Sequence, residues 1–262
     1  MIEYKVHKHT TKNSDGIINY MIYSHSSFID ILKIQINYIS GNGHLTLCID
    51  KNNLDLEYIY DKFDNVVFYD SNQTYGQKLL SCIKQVDYEY ILLMHDIDIL
   101  YDIDKTKVLE LQNFLIENKY DRVDFQLAYD FDSTHYNTIN DDELYLIKSS
   151  NTDTRNKGYI YNVNPSIWKR KTLETILDKF SHLDYRTIEQ DSVQEFSSQF
   201  NIFKLFSKVR YNCGYFTCLE PFKYLHITHS RTLFNPNTLP PEDSKDVIDE
   251  YNKIIKKYNL EK

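Results

Sequence analysis

Glycine is scarce in this chain, with six copies in 262 residues. None of the six builds the Gly-rich loop that cradles phosphates in P-loop proteins. Gly41-Asn-Gly43 lacks the third glycine of the dinucleotide fingerprint and sits where a helix should end. No Gly-x-Ser-x-Gly nucleophile elbow occurs. Cysteine is equally sparse: Cys48, Cys82, Cys213 and Cys218 are scattered. No secretory signal accompanies them, so buried free thiols in a reducing compartment are expected. Cys213 and Cys218 match no strong zinc spacing. No apolar run approaches the length that spans a bilayer, and residues 1–12 lack the apolar stretch of a signal peptide. A soluble, cytoplasmic protein without a transmembrane segment is expected. Basic blocks are missing too. With a net charge of −8, a nucleic-acid partner is not expected. An acidic enzyme that handles nucleotides would need a cation, or local Lys and Arg, to hold them.

What the chain does have is apolar content, 42%, with 23 tyrosines. That suffices for one large core, or one core with a small appended part. The most informative stretch is Tyr90-Ile-Leu-Leu-Met-His-Asp-Ile-Asp-Ile-Leu100. Residues 91–94 read as a buried strand of a parallel sheet. Side chains alternate along a strand, so Asp96 and Asp98 are expected to project the same way from its C-terminal end. Ligands of open α/β sheets bind beyond that end. Two carboxylates there suit a hard divalent cation, which takes oxygen ligands and bridges to phosphates. A solvated Asp-x-Asp turn is the competing reading.

The surrounding pattern is that of an α/β protein. Residues 17–23 alternate as a first strand, and a polar turn at 24–27 leads into a helix through Ile29, Leu32, Ile36 and Ile39. Gly41 and Gly43 stop that helix. Strands are expected at 44–49, ending on Asp50, and at 65–69, with a helix over 74–86 before the aspartate strand. Later elements are more mixed. Helices are expected at 105–117, 171–180, 188–200 and 246–258, and strands at 123–129, 143–148, 158–163 and 224–227. The order argues for a mostly parallel central sheet flanked by helices. A single domain over 1–262 is expected, with a nucleotide-binding half at 1–104 and a mixed acceptor-side half at 105–262.

With the aspartates on the fourth strand, the chain resembles GT-A-fold, Rossmann-like glycosyltransferases that use nucleotide-sugar donors, in particular a family-2-like subgroup. Tyr75-Gly-Gln-Lys-Leu-Leu80 and the run from Val86 to Met94 look like the helix and strand that lead into that family's metal-binding motif. Pro165-Ser-Ile-Trp-Lys-Arg-Lys-Thr-Leu173 followed by Ile188-Glu-Gln-Asp191 is similar to its acceptor-side region. Tyr224-Leu-His-Ile-Thr-His-Ser-Arg231 resembles its late His-containing segment. Where many members carry Asp-Asp, this chain has Asp96-Ile-Asp98.

The resemblance implies a donor, UDP-sugar by preference, and a glycan or other hydroxyl acceptor. Transfer needs a leaving diphosphate whose growing charge is neutralised, work for Mn²⁺ or Mg²⁺. Asp98 is the first choice of direct ligand, with Asp96 on the ribose or on the metal through water. His226 or His229 would complete the set and favour Mn²⁺. Surface or hydrogen-bonded histidines are the alternative. Lys78 and Arg231 could donate to phosphates, although a solvated helix face explains Lys78 equally. Asp50 is placed to accept from the base, with a turn residue as the competing reading. Ser24 and His25 would line the nucleotide. An inverting transfer needs a carboxylate base for the acceptor hydroxyl. Asp191 is the first candidate and Glu189 the second, against a plain acidic helix start. Trp168 could stack on a sugar, though aromatics more often fill cores.

Two alternatives come from other classes. In haloacid-dehalogenase-like phosphatases an Asp-x-Asp after a strand supplies nucleophile and acid/base around Mg²⁺. That family places it near the N-terminus, and here some ninety residues come first. The other alternative is a non-catalytic carbohydrate-binding relic of the fold, which would not need the paired aspartates and late histidines.

Overall fold

A computed structural model of the chain describes residues 17–41, 43–51, 57–125, 136–138, 144–148, 160–207, 216–219, 222–229, 232–233 and 245–260. The first hundred residues alternate as their sequence dictates. β1 (Asn19–Tyr23) leads through one 3-10 turn into α1 (Ile29–Ile39), and β2 (His44–Asp50) follows. Gly41 makes the turn between them at φ 78°, a backbone setting that favours glycine. A short α2 (Glu57–Tyr60), not evident in the sequence, precedes β3 (Asn65–Tyr69). α3 (Tyr75–Ile83) starts at a capping box. The Thr74 hydroxyl accepts the Gln77 N–H, and the Gln77 side chain accepts the Thr74 N–H. β4 (Tyr90–His95) is buried along its whole length.

The chain then leaves the expected path. β4 ends at His95, Asp96 and Ile97 form a turn, and Asp98 opens a new strand, β5 (Asp98–Ile103). The two aspartates therefore do not sit on one strand end, as their spacing suggested. The hydrogen-bonding edge of residues 98–103 is taken by β12 (Phe222–His226), which pairs with it antiparallel. α4 (Lys105–Asn118) starts where the Asp104 carboxylate caps the Lys107 N–H at 3.1 Å. It ends at Lys119 in the left-handed region.

β6 (Arg122–Asp124) is shorter than expected, and 126–129 lie outside the described residues. The described part of the strand expected at 158–163 is a turn. Its backbone groups are claimed by side chains rather than by a neighbouring strand. Arg122 donates to the Ile160 and Asn162 carbonyls at 2.8 and 3.3 Å, and the Gln194 amide binds both Tyr161 backbone groups at 2.9 Å. The strand of this region is β9 (Ser166–Lys169), followed by α5 (Arg170–Phe180) and a short α6 (Asp191–Ser197). β7 (Tyr136–Thr138), β8 (Leu144–Lys148), β10 (Ile202–Ser207), β11 (Phe216–Leu219), β13 (Thr228–His229), β14 (Thr232–Leu233) and α7 (Lys245–Tyr258) complete the described elements.

Among the described residues the main sheet has nine strands in the order β3-β2-β1-β4-β9-β6-β10-β8-β7. Only β9 and β8 run against the rest, so the sheet is mostly parallel. Its pleat sorts the core. Tyr20, Ile22, Leu92 and Met94 face α1 and α4, while Met21, Cys48, Ile91 and Leu93 face α3 and α5. Trp168 is buried in the second layer, with the Arg122 guanidinium 4.5 Å from its ring centroid, so it presents no face to a ligand. A smaller sheet, β11-β12-β5, packs with α1 and α7 through Ile99, Leu225, Ile227, Tyr251, Ile254 and Ile255. No helix among the described residues is long and apolar enough to cross a membrane.

Candidate functional site

The polar groups converge where β1, β2 and β4 end, on the carboxyl edge of the parallel strands. Ser24 follows β1, Asp50 closes β2, and His95 closes β4. All three and Asp96 are buried. Asp96 ties two strand ends together. Its N–H donates to the Tyr23 carbonyl at 3.2 Å, and its Oδ2 accepts the Ser24 hydroxyl at 2.5 Å. Burial pushes the Asp96 carboxyl up to about 7; donors at Ser24 and the His25 N–H oppose this, and the neighbouring Asp98 charge adds to it.

Asp98 is buried beside it on a different sheet. The backbone register sets Asp98 opposite His226, and the Ile227 N–H donates to the Ile97 carbonyl at 2.9 Å. His229 is paired instead with Thr232. The side chains of His226 and His229, and Arg231 entirely, lie outside the described residues. Among the described residues no three His, Cys, Asp or Glu groups come together around one point, so Asp96 and Asp98 stand as a pair.

Asp50 is engaged with the loop after β1. Its Oδ1 accepts the Ser26 N–H at 2.6 Å and its Oδ2 the Ser26 hydroxyl at 2.8 Å, with His25 Nε2 at 3.8 Å. His25 Nδ1 accepts the Ser27 N–H at 3.1 Å, which leaves Nε2 to carry the proton of the neutral ring. Tyr69 donates its hydroxyl to the Ser24 carbonyl at 2.6 Å. Lys78, on α3, holds its ammonium 5.8 Å from the Tyr69 ring centroid. The structure thus brings Ser24, His25, Asp50, Asp96 and Asp98 to one edge, with Lys78 beside Tyr69.

Several residues at this edge carry no sequence motif. Tyr23 stacks on Tyr69 at 5.2 Å, Tyr75 donates or accepts a hydrogen bond with His95 Nε2 at 3.0 Å, and Tyr185 packs edge-on to Tyr75 at 5.3 Å. The signal that could have found them is the density of tyrosine around polar strand ends.

Glu189 and Asp191 separate clearly. Glu189 is partly buried, and its Oε1 accepts the Val163 N–H at 2.9 Å. Burial holds its carboxyl above the usual range, while the Val163 N–H and the Arg122 charge pull the other way. Behind it lies a fully buried network that sequence reasoning missed. Arg122 pairs with Asp124 at 3.6 Å and donates to Asn162 and to the Ser166 hydroxyl, and Asn162 donates to Asp124. Asp191 is exposed as the first residue of α6.

No protein-family model matches the chain, and no curated protein matches it. Solved structures do. A TarS fragment, residues 1–349, from S. aureus is 12% identical over 91% of this chain, with a TM-score of 0.47. This chain spans 65% of that fragment and 40% of a longer TarS chain. A UDP-glucose pyrophosphorylase complexed with UDP-glucose is 11% identical over 73% of this chain and 91% of its own, at a TM-score of 0.42. The glycosyltransferase GlyE of Streptococcus pneumoniae TIGR4 is 10% identical over 75% of this chain and 46% of its own, at 0.40.

Proposed function

We propose that the protein is a metal-dependent glycosyltransferase that moves a sugar from a nucleoside diphosphate, UDP by preference, to a hydroxyl acceptor. One observation carries this reading: two buried carboxylates, Asp96 and Asp98, follow β4 where the chain passes from the carboxyl edge of the mostly parallel sheet into the small one. That edge is where ligands of such sheets bind. The pair also fits a divalent cation. Burial chiefly, and the Asp98 charge in smaller part, raise the Asp96 carboxyl, so ionising it costs free energy in an already acidic chain. A cation would offset that cost. Asp98 is kept as the direct ligand, with Asp96, whose carboxylate accepts from Ser24, His25 and Ile97, on the ribose or on the metal through water. The register with Asp98 favours His226 over His229 as the third donor. When bound, such an ion neutralises charge on the leaving diphosphate.

The remaining roles fall to the chain. Ser24, His25 and the Asp50-braced loop line the nucleotide, with Lys78 and Arg231 as phosphate donors. Glu189 is the stronger base candidate, since its raised carboxyl is the kind of tuning that general-base work uses. Asp191 is the alternative.

The test is thermal unfolding with UDP and Mn²⁺. At a hundred times its dissociation constant, UDP should stabilise by about 2.7 kcal/mol with Mn²⁺ and not with chelator. Asp98→Asn should remove the shift while leaving the fold intact. Equal shifts with and without the metal would sink the metal-dependent reading. Glu189→Gln should slow transfer by about 10²-fold or more with UDP affinity unchanged, and Asp191→Asn should not. The reverse order would hand the base role to Asp191.

A further inference from the structure

Tyr185 stands out for its exposure. It is the one large hydrophobic side chain among the described residues that is strongly exposed, at 45%. It is also not on a floppy tip. The segment from α5 to α6 is fixed at both ends. The Thr74 hydroxyl donates to the Ser181 carbonyl, and the Gly76 N–H donates to the Leu183 carbonyl at 3.0 Å. Further on, the Thr187 and Ile188 N–H groups both return to the Asp184 carbonyl at 2.9 Å, and Gln194 holds the Glu189 carbonyl at 2.9 Å. Gly76 permits this docking. A Cβ there would stand 2.9 Å from Phe180 and Ser181 backbone atoms.

The ring is held as well. Tyr185 meets Tyr75 edge-on at 5.3 Å and His95 at 5.7 Å, so part of the ring is packed while the rest is exposed. Burial of the hydroxyl, followed by the charges of Asp98, Glu189 and Asp96, pushes its phenol up. The ring thus lies against His95, the residue before Asp96, and within electrostatic reach of both the carboxylate pair and the base candidate. Exposing a rigid aromatic face to water costs free energy, and a ligand that covers it recovers that cost. The C–H face of a pyranose is apolar and flat enough to do so, while its hydroxyls remain for the surrounding acids.

We propose that Tyr185 is the stacking platform for a pyranose ring at this site. The proposal rests on the glycosyl-transfer reading and adds the residue that selects the sugar. The ring could belong to the donor or to the acceptor, and the two are separable.

The experiment compares the native protein with Tyr185→Ala and Tyr185→Phe in Mn²⁺. UDP, UDP-glucose and UDP-N-acetylglucosamine are titrated by calorimetry. Free methyl glucoside and N-acetylglucosamine are followed by saturation-transfer NMR. If the donor sugar stacks, Tyr185→Ala weakens a UDP-sugar by roughly tenfold and leaves UDP unchanged, and Tyr185→Phe restores the native value. If the acceptor sugar stacks, both titrations are unchanged and the free saccharide signals vanish in Tyr185→Ala but persist in Tyr185→Phe. The proposal is overturned if Tyr185→Ala alters neither arm, or weakens UDP as much as the UDP-sugars. Failure of the native protein to bind UDP at all would sink the transferase reading separately, because the saccharide arm still reports on Tyr185.

Discussion

Asp96 carries an electrostatic cost at the site. Its carboxyl rises from an ordinary 3.8 to about 7, chiefly through burial. Between those values the folded protein holds a proton that the unfolded chain has released. Stability without metal should therefore fall as pH rises from about 4 to about 7, by something on the order of 4 kcal/mol. Asp96→Asn keeps the shape, loses the charge, and should flatten that slope in urea titrations run at pH 4.5 and 7.5. An unchanged slope would mean that some other group sets it. Divalent cations should bind more tightly over the same rise, since they need the ionised form. The residues that make this electrostatic setting were only partly legible. Asp96 and Asp98 announce themselves by following an apolar run. Arg122, Asp124 and Asn162 do not, because the contacts that define them join segments some forty positions apart. Tyr185 carries no signal in the sequence, since exposure at a fixed spot leaves no periodic trace.

At the scale of elements, periodicity served where it is kept through a whole element. β1, α1, β2, β3 and α3 fall close to the expected spans, since apolar alternation and helical spacing survive in each. β5 escaped notice because Asp-Ile-Asp-Ile-Leu reads as the tail of β4. The turn at Asp96 and Ile97 has no Gly, Pro or Asn, and its one turn-forming residue is Asp96. The competing Asp-x-Asp turn reading is right for the backbone but not for solvation, since both aspartates are buried. The strand expected at 158–163 failed for the opposite reason: its apolar residues are buried, but its hydrogen bonds go to Arg122 and Gln194. The contact between α3 and the segment after α5 gives a test at this scale. Gly76→Ala would press a methyl group into backbone at 2.9 Å, and backbone cannot swing aside as a side-chain tip can. The variant should lose about 1–3 kcal/mol. It should also make the 181–185 amides exchange faster with solvent. A variant as stable as the native protein would show that the segment shifts freely, and would weaken the case for Tyr185 as a fixed platform.

For the whole molecule, the decisive arrangement is that Asp96 leaves the large sheet and Asp98 enters the small one. The small sheet is held by α7, whose Tyr251, Ile254 and Ile255 pack with Ile99, Leu225 and Ile227. Ile254→Ala should cost about 2–5 kcal/mol. In the protein that remains folded, it should reduce Mn²⁺-dependent UDP binding more than it changes the near-ultraviolet signal of Trp168, far away in the large sheet's core. Equal losses would mean that the two sheets unfold as one unit. A further consequence concerns time during synthesis. A nascent chain that has delivered its first hundred residues already carries both aspartates, yet the partners of β5 arrive only with residues 222–226 and the brace only with 245–258. On the metal-site proposal, cation capture would wait for these later segments. A product that stops before them, however well its early strands assemble, would carry both aspartates without the small sheet that seats Asp98.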